Sequence, residues 1–128
     1  MKIKLNSIIV RDQEEALTFY TDVLGFKKKI DFPAGQHRFL TVVSPDDPEG
    51  AQLVLEPDAN PAAATYQKAL HDGGIAATAF EVDDIEAEYR RLLDLGVTFT
   101  SKPTNQLVVT IAVLDDTCGN LIQIYQVA

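Results

Sequence analysis

Few side chains in this 128-residue chain could carry chemistry. It has two histidines, His37 and His71, and a single cysteine, Cys118. One cysteine excludes an intrachain disulfide and any multi-cysteine zinc site. Cys118 lies in the tight turn DDTCGN with no reactive partner nearby in sequence, and reads as structural. His71, just before Gly73, reads as a helix C-terminal residue favoured by the helix dipole. No glycine-rich phosphate cradle, nucleophile elbow or paired-carboxylate motif occurs.

What remains is a short set of polar residues in strand-like segments. Glu56 closes the apolar run QLVLE, where a carboxylate could serve as a base or hold a cation. The alternative is a strand-end residue before Pro57 that points to solvent. Gln123, inside LIQIYQ, offers both a donor and an acceptor and could orient a ligand, or satisfy neighbouring backbone. Tyr125 could offer its hydroxyl or simply pack. His37 with Arg38, after the turn-like FPAGQ, could form a mouth that recognises an anion, or supply polarity to an exposed edge strand.

The elements that position these residues follow from periodicity and punctuation. RDQEEALTFYTDVLGF reads as a helix: Asp12 is the N-cap, Glu15 completes a capping-box variant, and Gly25 is the stop. Sliding the chain by 71 positions brings Asp12 onto Asp83, Glu15 onto Glu86, Leu24 onto Leu95 and Gly25 onto Gly96. A shift of 69 brings Asp46, Asp47 and Gly50 onto Asp115, Asp116 and Gly119. Cap, stop and turn recurring in one order mark a duplicated supersecondary unit with a small length difference between helix and turn.

Around each helix the period switches to two, the mark of strands. These are expected near 3–10, 28–32, 37–43 and 51–56, and again near 76–82, 97–101, 107–114 and 121–127. The fold class is therefore α+β, built from two tandem βαβββ units near 1–56 and 75–128. A connecting helix near 60–72 has Asn60 as cap, Pro61 in its first turn and Gly73 as stop.

The chain is 46% hydrophobic and 23% charged, which places it among globular proteins rather than disordered ones. A formal charge of −8 disfavours nucleic-acid binding, which needs a basic surface. It suits a cationic ligand or simple solubility. No apolar run approaches the roughly 18 residues of a membrane span. MKIKLNSIIV moves straight into a strand pattern without a signal-peptide layout, so a cytoplasmic protein is expected.

The motifs V-x-D-x-x-x-A-x-x-F-Y-x-x-x-L-G-F (10–26) and D-D-x-x-G-N-x-I-x-I (115–124) resemble the vicinal oxygen chelate superfamily, in its glyoxalase and bleomycin-resistance branch. The resemblance covers nearly the whole chain as a single domain, 1–128. It implies two curved mixed sheets around a cavity, helices outside, and a homodimer. It leaves the chemistry open, because the superfamily holds metal-dependent isomerases, thiol transferases, ring-cleaving dioxygenases, epimerases and drug-sequestering proteins.

Alternation then sorts the strands into faces. Leu5, Ser7 and Ile9 are expected inward, as are Gln52, Val54 and Glu56, then Ala77, Ala79 and Glu81, and finally Leu121, Gln123 and Tyr125. For the remaining pair of strands, the repeat and the resemblance favour His37, Phe39 and Thr41 inward, with Val108, Thr110 and Ala112 opposite. The hydroxyls of Ser7, Thr41 and Thr110 thereby join the candidate ligand-binding set. The positions that hold metal in the family's metal-dependent members correspond to Leu5, Glu56, Ala77 and Gln123. Leucine and alanine have no donor atoms, so no cofactor is expected, and a divalent metal ion is the lesser alternative.

Two functions follow from this set, beside a third possibility in which the cavity is vestigial and the domain serves to associate with a partner. The first is a small-molecule-binding protein of the drug- or metabolite-sequestering kind, without the full metal site. The second is a glyoxalase-type lyase or isomerase with Glu56 as general base and Gln123 or His37 orienting the substrate.

Overall fold

The computed structural model describes residues 1–128, which divide into two compact units, Met1–Thr65 and Tyr66–Ala128. The first unit begins with β1 (Leu5–Val10) and helix α1 (Gln13–Thr18), which runs on as a π-helical turn over Phe19–Val23. Strands β2 (Lys27–Ala34), β3 (His37–Val43) and β4 (Gln52–Pro57) complete it. Helix α2 (Pro61–Asp72) crosses the unit boundary. The second unit carries β5 (Ala76–Glu81), α3 (Ile85–Asp94), β6 (Phe99–Gln106), β7 (Val109–Asp115) and β8 (Leu121–Val127). Each unit is the expected βαβββ.

Both sheets have the same topology. Their orders are β1-β4-β3-β2 and β5-β8-β7-β6, with the first pair parallel and the others antiparallel. The outer strands β2 and β6 are each eight residues long and exceed their expected spans. Their sequences, KKKIDFPA and FTSKPTNQ, show little apolar alternation, since edge strands bury little on either face.

In the first unit α1 packs on β3 and β4, over a core of Ile8, Val10, Ala16, Phe19, Tyr20, Leu40, Val42 and Leu55. Fully burying one such large side chain contributes about 1.5–3 kcal/mol. In the second unit α3 packs on β6, β7 and β8, and Ile85, Leu92, Ala112, Leu114, Ile122 and Ile124 are buried.

Helix punctuation matches expectation in the first unit and shifts by one residue elsewhere. Asp12 caps α1, accepting from the Glu15 N–H at 2.9 Å. In the second unit the cap is Asp84 rather than Asp83, and its carboxylate accepts from Ala87 N–H at 3.0 Å. Glu86 therefore does not sit at the capping-box position. The connecting helix stops on Gly74 (φ +71) rather than Gly73, with the Ile75 N–H reaching back to the Leu70 carbonyl.

The π turn explains the one-residue discrepancy between the two helices. Asp84 follows Asp12 by 72 positions, whereas the stop Gly96 follows Gly25 by 71. The first helix thus holds one extra residue between cap and stop, which a single i→i+5 turn absorbs without moving either end. The Leu24 N–H bonds the Phe19 carbonyl at 3.0 Å in that pattern.

A larger difference, of three residues, lies in the connection between the last two strands of each unit. Val43 to Gln52 leaves residues 44–51 outside the strands, whereas Asp115 to Leu121 leaves only 116–120. The shorter turn is organised by Asp116, whose fully buried carboxylate accepts from Cys118 N–H, Asn120 N–H and Asn120 Nδ2 at 2.7, 2.9 and 2.8 Å. Gln67 of α2 donates to the Cys118 carbonyl at 3.1 Å, and Cys118 itself is buried. His71, in the last turn of α2, meets the Asp115 carboxylate at 3.0 Å.

Candidate functional site

The strand registers decide which candidate side chains share a face. In the first unit Leu5, Ser7 and Ile9 lie opposite Gln52, Val54 and Glu56, and Val54 lies opposite Thr41. By alternation His37, Phe39 and Thr41 occupy that same face, turned away from the one on which α1 packs. Phe32 lies opposite Phe39, and their rings stack at 5.4 Å between centroids with Phe32 52% exposed. One face therefore brings together Ser7, His37, Thr41 and Glu56 around an aromatic pair.

Arg38 does not join them. Adjacent residues in a strand point to opposite faces, so Arg38 lies with Leu40 on the α1 side. Its guanidinium forms a forked pair with Asp31, at 3.0 and 2.8 Å, and a third contact with Glu14 at 2.5 Å. These hydrogen bonds raise the guanidinium pKa further and hold the Asp31 carboxyl below its usual range. Arg38 is occupied by carboxylates, which removes the basis for an anion-recognising mouth. His37 and Arg38 do border a shared cleft of about 350 Å³ beside Asp12, Glu14 and Asp58.

Gln13 locks this corner. Its side chain donates to the carbonyls of Arg38 and Leu55 at 2.7 and 2.9 Å and accepts from the Arg38 N–H at 3.0 Å. One amide thus ties α1 to both β3 and β4.

In the second unit Gln123 lies opposite Ala79 and Val113, and Tyr125 opposite Glu81 and Ile111. These share a face, with Gln123 and Tyr125 partly exposed. Thr110 is on the other face, opposite Gln126 and in line with the buried Ala112 and Ile124. The expectation that Val108, Thr110 and Ala112 face inward is corrected to Val109, Ile111 and Val113. The cause is the shorter final turn: Thr41 and Val113 share an open-face position 72 apart, while Val54 and Gln123 are 69 apart. Carrying the shorter shift back across that turn slips the strand by three residues, and an odd slip exchanges the faces.

The candidate residues also differ in how far the fold already uses them. Thr41 is fully buried and bonded to Ile30 N–H and Gln52. By contrast, the side chains of Ser7, His37, Glu56, Gln123 and Tyr125 make no hydrogen bond or ion pair within the chain. Sequence reasoning placed Gln52 inward but did not count it as a site residue.

The positions that hold metal in the family's metal-dependent members are only partly filled by donor side chains here. Leu5 and Ala77 hold two of the four corresponding positions and have no donor atom. Nowhere do three or more His, Cys, Asp or Glu side chains cluster as a metal would need.

The paired βαβββ units and their sheet order find a direct match among known families. The model of the glyoxalase/bleomycin resistance protein/dioxygenase superfamily matches residues 2–124. The chain belongs to this superfamily. Among its relatives is the uncharacterized protein YurT of Bacillus subtilis (strain 168), 58% identical over 126 residues, spanning 98% of this chain and 99% of YurT. Among solved structures, UcmS2 superposes with a TM-score of 0.84 at 32% identity, covering 98% of this chain and 97% of UcmS2. TnmS3, an antibiotic binding protein from Streptomyces sp. CB03234, superposes with a TM-score of 0.77 at 27% identity, covering 100% of this chain and 97% of TnmS3.

Proposed function

We propose that this superfamily member binds a small organic ligand on the sheet faces described above, without metal chemistry. One observation carries the reading. The first unit's face holds the unbonded side chains of Ser7, His37 and Glu56 beside Leu5, Ile9, Val54 and the Phe32–Phe39 pair, and the second unit's face, taken by itself, holds Gln123 and Tyr125 beside Ala79, Ile111 and Val113. An apolar surface with a few convergent polar groups is what a small-molecule site requires. The stacked Phe32–Phe39 pair offers a flat apolar platform for an aromatic ligand. Glu56, Glu81 and the net charge of −8 favour a cationic one. The similarity to TnmS3, an antibiotic binding protein, supports the same reading.

The proposal includes a homodimer. Leu5 and Phe32 are 51% and 52% exposed on one face, an arrangement that a second copy would cover. Size-exclusion chromatography with light scattering tests this part separately.

The functional test is a thermal-shift screen of chelator-treated protein against flat aromatic cations, with daunorubicin and proflavine as probes. Stabilisation that persists in chelator and weakens in Glu56→Gln and Phe32→Ala supports binding. Turnover of an aldehyde–thiol adduct that requires added metal and is lost in Glu56→Gln would replace this reading with a lyase.

A further inference from the structure

Thr41 and Gln52 form a buried polar pair whose proton arrangement is fixed by bond counting. The Thr41 hydroxyl oxygen accepts from the Ile30 N–H at 3.1 Å, where β2 shifts register between Lys28 and Ile30. Its own proton then needs an acceptor, and the Gln52 side chain lies at 2.8 Å. Only the amide oxygen can accept, so Oε1 faces Thr41 and the Nε2 group is directed away from it. The reverse orientation would leave a hydroxyl proton unpaired in a residue with no exposure.

The Nε2 group has no partner within the chain, and Gln52 is partly exposed on the face shared with Leu5, Ser7 and Val54. An otherwise mobile glutamine is thereby held as a fixed two-proton donor at the edge of an apolar surface. The second unit has no such device: Leu121 stands 69 positions after Gln52, and Val113 occupies the place opposite the strand where Thr41 stands in the first.

We infer that Gln52 is the specificity-determining contact for a hydrogen-bond acceptor on the ligand, such as a carbonyl oxygen, and that Thr41 is its positioning residue. This rests on the reading of the sheet face as a ligand site. Pre-orienting the amide removes the rotamer entropy that binding would otherwise cost, so the donor discriminates more sharply than a free glutamine. Leaving a buried polar group unpaired is also what penalises a ligand lacking the acceptor.

The test titrates two flat bicyclic probes of similar size, coumarin with a carbonyl and naphthalene without, into ¹⁵N-labelled protein. In the native chain coumarin is expected to shift the Gln52 side-chain amide resonances and naphthalene to leave them near their free positions. Gln52→Glu keeps an acceptor for Thr41 but removes the donor. It should lower the ratio of coumarin to naphthalene affinity roughly two- to tenfold, the worth of one net hydrogen bond. Gln52→Leu should lower it similarly. Thr41→Val should lower the ratio in part, and Thr41→Ser should restore it, an outcome that loss of folding alone would not produce. Binding of both probes with an unchanged ratio in Gln52→Glu overturns the inference and leaves the binding site standing. If neither probe perturbs this face in the native chain while daunorubicin does, the inference falls and the binding reading stands; if daunorubicin also leaves the face unperturbed, both fall.

Discussion

Arg38 and Asp31 meet as a forked ion pair across the β2–β3 hairpin, Nε 3.0 Å from Oδ1 and Nη2 2.8 Å from Oδ2. The pair ties an edge strand to the corner where Glu14 and Gln13 hold α1. The Arg38 hydrogen bonds are the main cause of the lowered Asp31 pKa, opposed by desolvation and helped by Arg38 and Lys28 charge. A carboxyl depressed in the folded state adds stability above its unfolded value, about 3.9, that is lost as pH falls through the folded value. Replacing Arg38 with Met should return the Asp31 titration, followed by carboxyl NMR, toward the ordinary value. It should also flatten the stability change in that acid window. An unmoved titration would show that the pair is not responsible.

Thr41 contributes to stability apart from any ligand. Thr41→Val removes the acceptor for the part-buried Ile30 N–H, and an orphaned donor there should cost about 1 kcal/mol, the low end of the range for buried groups. Thr41→Ser keeps the oxygen and should lose less. Urea unfolding of the two variants checks this, and equal losses would mean that packing rather than the hydroxyl matters.

The two equivalent turn glycines should respond unequally to alanine. Gly119 has φ +104, and a Cβ there would lie 2.6 Å from the Gln67 amide nitrogen, which is buried and bonded in place. Gly119→Ala should cost roughly 1–3 kcal/mol. At Gly50 the clashing atom is the exposed carboxylate of Asp47, which can rotate away, so Gly50→Ala should fall within about 0.5 kcal/mol of the native chain. Thermal melts of both variants separate the cases.

The hairpin turns make a similar contrast. Gly35 and Leu107 begin the two-residue turns of their units at the same φ of 63, but only glycine adopts it without steric cost. Leu107 is 92% exposed, so its side chain contributes no burial. Strain relief of about 1–2 kcal/mol outweighs the glycine entropy penalty of about 0.5–1 kcal/mol. Leu107→Gly should therefore raise stability by roughly 0.5 kcal/mol on this balance, and a lower melting temperature would contradict it.

What could be read from the sequence was what local chemistry determines. The Asp12 cap, the Gly25 stop and the alternation of Ile122 and Ile124 each depend on a few adjacent residues; the repeat carried the stop correctly to Gly96 but the cap to Asp83, one residue short of Asp84. The faces of β7 could not be read, because Thr110 was placed through a shift measured on the far side of a turn of different length. Arg38 looked available because its partners, Asp31 and Glu14, come from another strand and a helix. Gln52 was placed on the right face, but its significance depends on Thr41, a contact between strands that alternation alone does not reveal. The π turn was hidden for the opposite reason: it corrects a length mismatch so that cap and stop both stay in place.

On the function proposed above, the sheet face of the first unit binds an organic ligand without a metal. A titration of daunorubicin into chelator-treated, ¹⁵N-labelled protein tests it most directly. Saturable shifts centred on Phe32, Phe39, Gln52 and Glu56 are expected, unchanged when nickel, zinc, manganese or iron is added. Shifts that arise only after stoichiometric metal is added, or that fall away from these residues, would contradict it.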